Sequence, residues 1–222
     1  MAAMKRIWCM RGRAIAVGMA LVATVTVAIA AEAPSAETAG QQQAVAIGRA
    51  WGHKFPEPIV LVVSQGSNGP ANIMTAGWAM TASGDPSSVA VSIAKERHSF
   101  GLIQQTRQFV VAFPGDDLEK EMLFCGTKSG RDVDKFKETG LTARPSKTIK
   151  PPIIDECIVN FECEMTHAVD AGSHTIFVGR IVHAWRHEKA DSMRRIYSLG
   201  GLGGKRFGAW PLPEKAGKPD SR

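Results

Sequence analysis

Apolar residues in this chain gather in short dense runs rather than in long helical stripes. Ile59 to Ser64 (IVLVVS), Asn72 to Ala79, Val89 to Ile93 and Phe109 to Phe113 (FVVAF) each have strand length, and Gly, Pro, Asn and Ser clusters separate them into turns. Further on, Val159, Phe161, Cys163 and Met165 alternate with Asn160, Glu162, Glu164 and Thr166, the pattern of a half-buried strand. Asp170-Ala171-Gly172 then predicts a turn into the apolar run Thr175 to Trp185, so the two runs form a hairpin. Helical signals are brief. Ser99 is placed to cap a helix reaching Gln105, with Phe100, Leu102 and Ile103 on its apolar side. Asp117 opens a second, LEKEMLF, closed at Cys125-Gly126 by a left-handed glycine, and Asp132 begins a short third through Phe136. Six or more strands with mainly antiparallel connections and a few helical insertions favour a closed barrel over a doubly wound sheet.

The ends of the chain have a different texture. Residues 1–30 carry Lys5, Arg6, Arg11 and Arg13 ahead of the uncharged run Ala14 to Ala30, which ends in the small-x-small pattern Ala28-Ile29-Ala30. That is the outline of a signal peptide and implies export, to the periplasm in a bacterial envelope; the alternative is an uncleaved membrane anchor. Residues 31–50, rich in Ala, Gln, Ser and Pro, read as a flexible lead-in. From Trp51 to Phe207 about 157 residues remain, enough for one well-buried domain, and residues 208–222 form a C-terminal tail.

Charge follows the same division. Taking the four basic residues of the first thirty from the whole-chain +6 leaves +2 for the rest, with signs mixed throughout. A nucleic-acid partner would need a clustered basic face and is disfavoured. With Cys9 in the leader, Cys125, Cys157 and Cys163 are an odd set without a disulfide framework, and they read as buried free thiols. His53, His98, His167, His174, His183 and His187 have no zinc spacing, and no serine sits in a nucleophile elbow.

Two stretches carry candidate chemistry. In the first, Asn72 and Thr75 adjoin small Ala76 and Gly77 and aromatic Trp78, while Lys95, Arg97, His98 and Ser99 crowd the end of the next strand. Small residues let a flat ligand approach the backbone, and a cation and hydroxyl cluster suits phosphate. The second is CGTKSGRDVDKF, Cys125 to Phe136, where Ser129, Gly130 and Arg131 lie among Lys128 and Lys135 and form an anion-binding turn or an ordinary solvated one. Two basic, hydroxyl-bearing turns converging on one phosphate point to a planar phosphorylated cofactor.

The order and spacing of GPANIMTAGWAM, DPSSVAVSIAKERHS, FVVAFP, CGTKSGRDVDKF, the ECE segment and GSHTIFVG resemble the flavoredoxin and flavin reductase-like family. The resemblance spans Pro56 to Gly179, and Leu199 to Phe207 is similar to the family's glycine-rich end. It implies a mainly β fold with short helical insertions, an FMN-binding split β-barrel that commonly dimerises. Matched residue by residue, it implies that Asn72, Thr75, Ala76, Gly77 and Trp78 lie along the isoalloxazine ring and ribityl chain. Lys95, Arg97, His98 and Ser99 match the phosphate-side turn, with Arg97 the foremost bidentate contact. Ser129, Gly130 and Lys135 match a second turn that can reach a partner subunit's flavin, and His174 matches a position over the site.

The implied activity is oxidoreduction at non-covalent FMN, with FAD left open, and with no acid–base side chain required for hydride arrival. Three readings follow. An exported electron-transfer flavoprotein would be served by a redox partner protein or a small-molecule acceptor. A flavin reductase would take its electrons from NAD(P)H, which general grounds make scarce outside the cytoplasm. A binding or sensing module would hold flavin without turnover.

Overall fold

A computed structural model describes residues 42–200 and 206–209. The signal segment, most of the lead-in and most of the tail therefore lie outside the described residues. Among the residues described, no helix is long and apolar enough to cross a membrane.

Twelve strands are present among the described residues. They are β1 (Glu57–Pro58), β2 (Val60–Gln65), β3 (Ala71–Ala76), β4 (Ala79–Gly84), β5 (Ser87–Ala94), β6 (Gln108–Phe113), β7 (Ala143–Arg144), β8 (Ile153–Ile154), β9 (Val159–Ala171), β10 (His174–Arg186), β11 (Ile196–Ser198) and β12 (Phe207–Ala209). Seven of them make one antiparallel sheet in the order β3-β2-β6-β9-β10-β5-β4. Its two end strands are neighbours in the chain, joined only by Gly77 and Trp78, so the sheet curls until its ends approach without a ladder between them. The β4–β5 pairing runs on past β4 through one further bond, Ser92 N–H to the Trp78 carbonyl at 2.9 Å. The closed barrel expected from the strand pattern is thus split.

The dense apolar runs fall where both faces of the sheet are covered. On β2, Val60 and Val62 point into the barrel interior with Phe109, Val111, Cys163 and Phe177. Leu61 and Val63 join an outer core with Val110, Ala112, Met122, Ile153, Ile154 and Ile196. A strand buried on both faces has no polar alternation to show, which is why VLVV reads as a continuous run. That outer layer corrects the reading of β9 as half exposed. Its alternate residues Asn160 and Glu162 are buried, because the segment from Leu141 to Ile158 covers them. Glu162 accepts the Lys147 and Thr148 N–H groups at 2.8 Å each, the Thr148 hydroxyl and the Trp185 indole N–H at 2.6 Å. The hairpin turns where expected, with Gly172 at φ +80°, a conformation glycine takes without steric cost.

Among the described residues four α-helices decorate the sheet: α1 (Ile47–Ala50), α2 (His98–Thr106), α3 (Glu119–Thr127) and α4 (Lys135–Thr139). α1 is one turn inside the presumed lead-in and has no buried residue. α2 starts one residue before the expected cap, so Ser99 lies within its first turn and its hydroxyl serves Asn72 instead. α3 runs through Gly126 rather than ending there, and its last residue is followed by extended Lys128. Gly126 lies where α3 packs closely on β3, and a Cβ at that position would stand 3.2 Å from Thr75. The third helix begins at Lys135, not Asp132, and Asp134 caps it by accepting the Lys137 N–H.

Candidate functional site

The split between β3 and β5 opens onto a cleft built from two adjoining cavities. The first, about 180 Å³, is walled by Asn72, Arg97, His98 and Ser99 on one side and by Lys128 to Arg131 with Lys135 on the other. The second, about 200 Å³, is walled by Thr75, Ala76, Gly77, Trp78, Ser92 and His174. Met74, Arg97 and Gly126 belong to both walls. Neither alone reaches the roughly 300–1,000 Å³ of an ordinary small-molecule site; joined end to end they do.

Of the residues singled out in the sequence, Asn72, Thr75, Ala76, Gly77, Trp78, Arg97, His98, Ser99, Ser129, Gly130, Lys135 and His174 all line this cleft. Lys95 does not. Its ammonium pairs with Asp170 across the hairpin at 2.8 Å and its side chain is half exposed. Sequence reasoning passed over Met74 and Gly126 at the junction, since neither carries a polar signal.

The first cavity is strongly basic. Arg97, Lys128, Arg131 and Lys135 line it against the single acid Glu96. Lys135 is buried, a placement the sequence DKFKE does not announce. Its ammonium donates to the Ile73 and Cys125 carbonyls at 2.7 Å each, which uses two of its three donors. Burial holds its pKa below the usual lysine value, and nearby Arg97 lowers it further, partly offset by Cys125. His98 is likewise shifted down, first by burial and then by Arg131 and Lys135. Burial is the first cause of both shifts, and a neighbouring cation adds to each. Arg97, by contrast, is half exposed and has only a marginal contact with Glu96 at 4.0 Å.

Asn72 carries the plainest unmet demand. Its Nδ2 donates to the Ser99 hydroxyl at 2.7 Å, while its Oδ1 is buried with no hydrogen-bond partner. A hydroxyl both donates and accepts, so the amide can present either end to the cavity. Gly130 faces it so closely that a Cβ there would stand 1.9 Å from Oδ1. The turn at Ser129 to Arg131 is therefore a backbone cradle that no side chain could enter.

The second cavity is flat and small-walled. β3 is an end strand paired only to β2, so alternate residues turn their amide and carbonyl groups toward the cleft. The Thr75 hydroxyl is tied to the Met122 carbonyl of α3. At the far end Trp78, 43% exposed, lies 4.8 Å from the His174 ring and stacks at 5.8 Å on Trp51. The three cysteines among the described residues are buried and free, and burial pushes Cys125 up to about 11 and Cys163 to about 12. Cys157 is raised as well, and among the described residues no group of His, Cys, Asp or Glu is placed to hold a metal.

An open-sided antiparallel barrel, with a phosphate-suited cavity at one end of its split and a planar slot at the other, defines a flavin-binding class of protein. Comparison with known proteins bears on that class directly. Residues 51–203 match the flavin reductase like domain, and the chain belongs to that family. An uncharacterized protein of Pyrococcus abyssi is 38% identical over 136 residues, covering 61% of this chain and 77% of its own. One from Archaeoglobus fulgidus is 40% identical over 129 residues, covering 58% of this chain and 72% of its own. Among solved structures, an FMN-binding protein from Thermus thermophilus with bound 1-cyclohex-2-enone superposes with a TM-score of 0.64 at 25% identity, over 77% of this chain and 94% of that one. Flavoredoxin of Desulfovibrio vulgaris shares the fold, with a TM-score of 0.64 at 24% identity over 71% of this chain and 88% of that one.

Proposed function

We propose that this chain is an exported FMN-binding flavoprotein, a homodimer that passes electrons through its flavin to a redox partner protein or a small-molecule acceptor. The observation that carries the FMN reading is the compact basic cavity. Asn72, Ser99 and the Gly130 cradle are shaped for a single terminal phosphate, with Arg97 free to close on it. The export reading rests on the basic, apolar and small-residue pattern of residues 1–30.

Bound FMN would supply the hydride and single-electron chemistry. The chain's own residues have simpler tasks. Arg97 and the Ser129 to Arg131 turn hold the anionic end, since guanidinium and backbone N–H groups both donate to phosphate oxygens. Lys135 donates to two carbonyls at the wall of the cavity and adds positive potential there. Gly77 and Ala76 leave the edge of β3 open to a ring, and its amide groups stabilise negative charge developing nearby. Trp78 and His174 shield one end of that slot from water.

A second reading, an NAD(P)H-dependent flavin reductase, is favoured by one feature. An apolar groove of about 310 Å³, lined by Trp51, Trp78 and Met80, adjoins the ring end through Gly77 and could seat a flat donor. The visible spectrum distinguishes the two. Protein beginning at Ala31, reconstituted with FMN and desalted, is expected to keep its flavin bands, to bleach slowly with anaerobic NADPH and to bleach at once with dithionite. Rapid bleaching by NADPH would instead establish the reductase, and loss of flavin on desalting would refute both.

A further inference from the structure

The groove of about 310 Å³ beside the ring end reaches the size of a small-molecule site on its own. Among the described residues six large hydrophobic side chains are exposed, and three of them, Trp51, Trp78 and Met80, line this one groove. Scattered exposed apolar residues are ordinary, whereas a gathered set marks a place where something binds. Ala90 and Ser92 of β5 and Ile176 of β10 complete the wall. The groove shares Gly77, Trp78 and Ser92 with the second cavity of the cleft, so an occupant would adjoin the flavin slot.

Two charged side chains stand in this wall, Lys54 and Glu57, and they pair with each other. Both are within reach of a ligand, with 30% of the Lys54 side chain and 19% of the Glu57 side chain accessible. The Lys54 ammonium lies 5.1 Å from the centre of the Trp51 ring and 5.6 Å from that of Trp78, over the indole faces. Its bond to Glu57 takes one of its three donors. The Glu57 carboxylate stands where groove and slot meet: a Cβ on Gly77 would be 3.8 Å from its Oε2. An anionic ligand would find the one cation of this wall already shared and a carboxylate facing it. The pyrophosphate of a nicotinamide dinucleotide needs cations, and those of the cleft gather in the first cavity instead. An aromatic wall, neutral in sum and furnished with a strong donor, suits an uncharged ring that carries a carbonyl oxygen.

We propose that this groove binds a quinone, its ring against Trp51, Trp78 and Met80 and one carbonyl oxygen on the Lys54 ammonium. A role as the small-molecule acceptor would rest on the flavin reading, whereas binding itself does not.

Duroquinone, whose fully methylated ring resists addition by thiols, is the probe. Isothermal titration with the full chain is expected to show saturable one-site binding, the same with and without FMN. Durene, the same methylated ring without carbonyl groups, should bind roughly tenfold to a hundredfold more weakly, the loss expected for a hydrogen bond to a charged group. Lys54→Met, which keeps the apolar stem, should weaken duroquinone to a similar degree and leave durene unchanged. Trp51→Ala removes an exposed wall, should weaken both ligands and should melt with the parent. Absence of saturable binding overturns the proposal, including the case in which a second copy or a segment outside the described residues covers the groove. Equal affinity for durene, an unchanged dissociation constant in Lys54→Met, or displacement by NADH overturns it too. Displacement by FMN would place the quinone in the flavin slot and also overturn it. Failure of the chain to retain FMN refutes the flavin reading alone and leaves the flavin-free titration standing.

Discussion

Glu162 and Asn72 are polar residues buried to nearly the same depth in one sheet, yet their surroundings differ completely. The Glu162 carboxylate accepts four hydrogen bonds, from Lys147, from both donors of Thr148 and from Trp185. Asn72 makes one, to Ser99, and leaves its other end bare beside Gly130 and a cluster of cations. A buried group whose valences are filled by its own chain holds the fold; one that keeps a valence open is placed for something that arrives later. Ser64 Oγ and Glu121 Oε2, outside the cleft, are also buried without a hydrogen-bond partner among the described residues, so the open valence of Asn72 marks the site because it lies beside Gly130 and the cluster of cations.

Breaking the scaffold side should give the largest effect. Glu162→Gln puts an amide N–H against donors that now meet carboxylate oxygens, and it should lower stability by about 2–4 kcal/mol. Urea denaturation measures this, and flavin affinity of the folded fraction should not change. The pH dependence sharpens the test. Burial pushes the Glu162 pKa up, but the hydrogen bonds from Thr148, Lys147 and Trp185 outweigh it and hold the value below 4.5. The carboxylate's contribution is therefore full above the unfolded value and lost as pH falls through the folded one. In Glu162→Gln that part of the acid transition should vanish. A variant as stable as the parent at neutral pH would show that the four bonds hold nothing.

How much of this contrast was legible beforehand follows from the same physics. VLVV and FVVAF announce strands because both of their faces are buried, and the hairpin announces itself through Asp170 to Gly172. Strand β4, Ala79–Gly84, went unseen because its sequence AMTASG is small and polar and most of it is exposed at the sheet end. Glu162 reads as a solvent-facing residue of an alternating strand, because the segment that covers it is distant in sequence and bears no periodic mark. The cleft was more legible than the core around Glu162. Its glycines, hydroxyls and cations cluster in two short stretches, and topology brings those stretches together around Met74 and Gly126. Lys95 was the misfit in that set, since nothing in AKERHS says which cation turns toward Asp170.

On the site side, Arg97→Ala removes the cation common to both cavities. FMN affinity should fall by roughly tenfold to a hundredfold, equivalent to about 1.5–3 kcal/mol for hydrogen bonds to a charged group. Fluorescence titration reads it, and melting of the flavin-free protein should stay the same. An unchanged dissociation constant would remove Arg97 from the site. His98 gives a smaller, signed effect. Burial, Arg131 and Lys135 hold its pKa below 6.5, so in flavin-free protein its contribution to stability is present above that value and lost as pH falls. A bound phosphate opposes those causes. The imidazole pKa followed by NMR should rise when FMN binds, whereas a value unmoved by FMN would place the phosphate elsewhere.

The smallest expected effect is also the one that tests the principle. Lys95 and Arg97 are two residues apart after the same strand, and by sequence alone both are candidates for the phosphate, with Arg97 the foremost. In the fold they are not equal. Lys95 has its carboxylate, Asp170, while Arg97 has only the distant edge of Glu96. The Lys95–Asp170 pair is exposed and screened, so its loss should leave both fold and cleft nearly as they were. Lys95→Ala should change FMN affinity by less than roughly twofold, in contrast to its neighbour. If instead both substitutions weaken FMN equally, the ammonium leaves Asp170 for the phosphate on binding. Open valences in the flavin-free fold would then not mark the site.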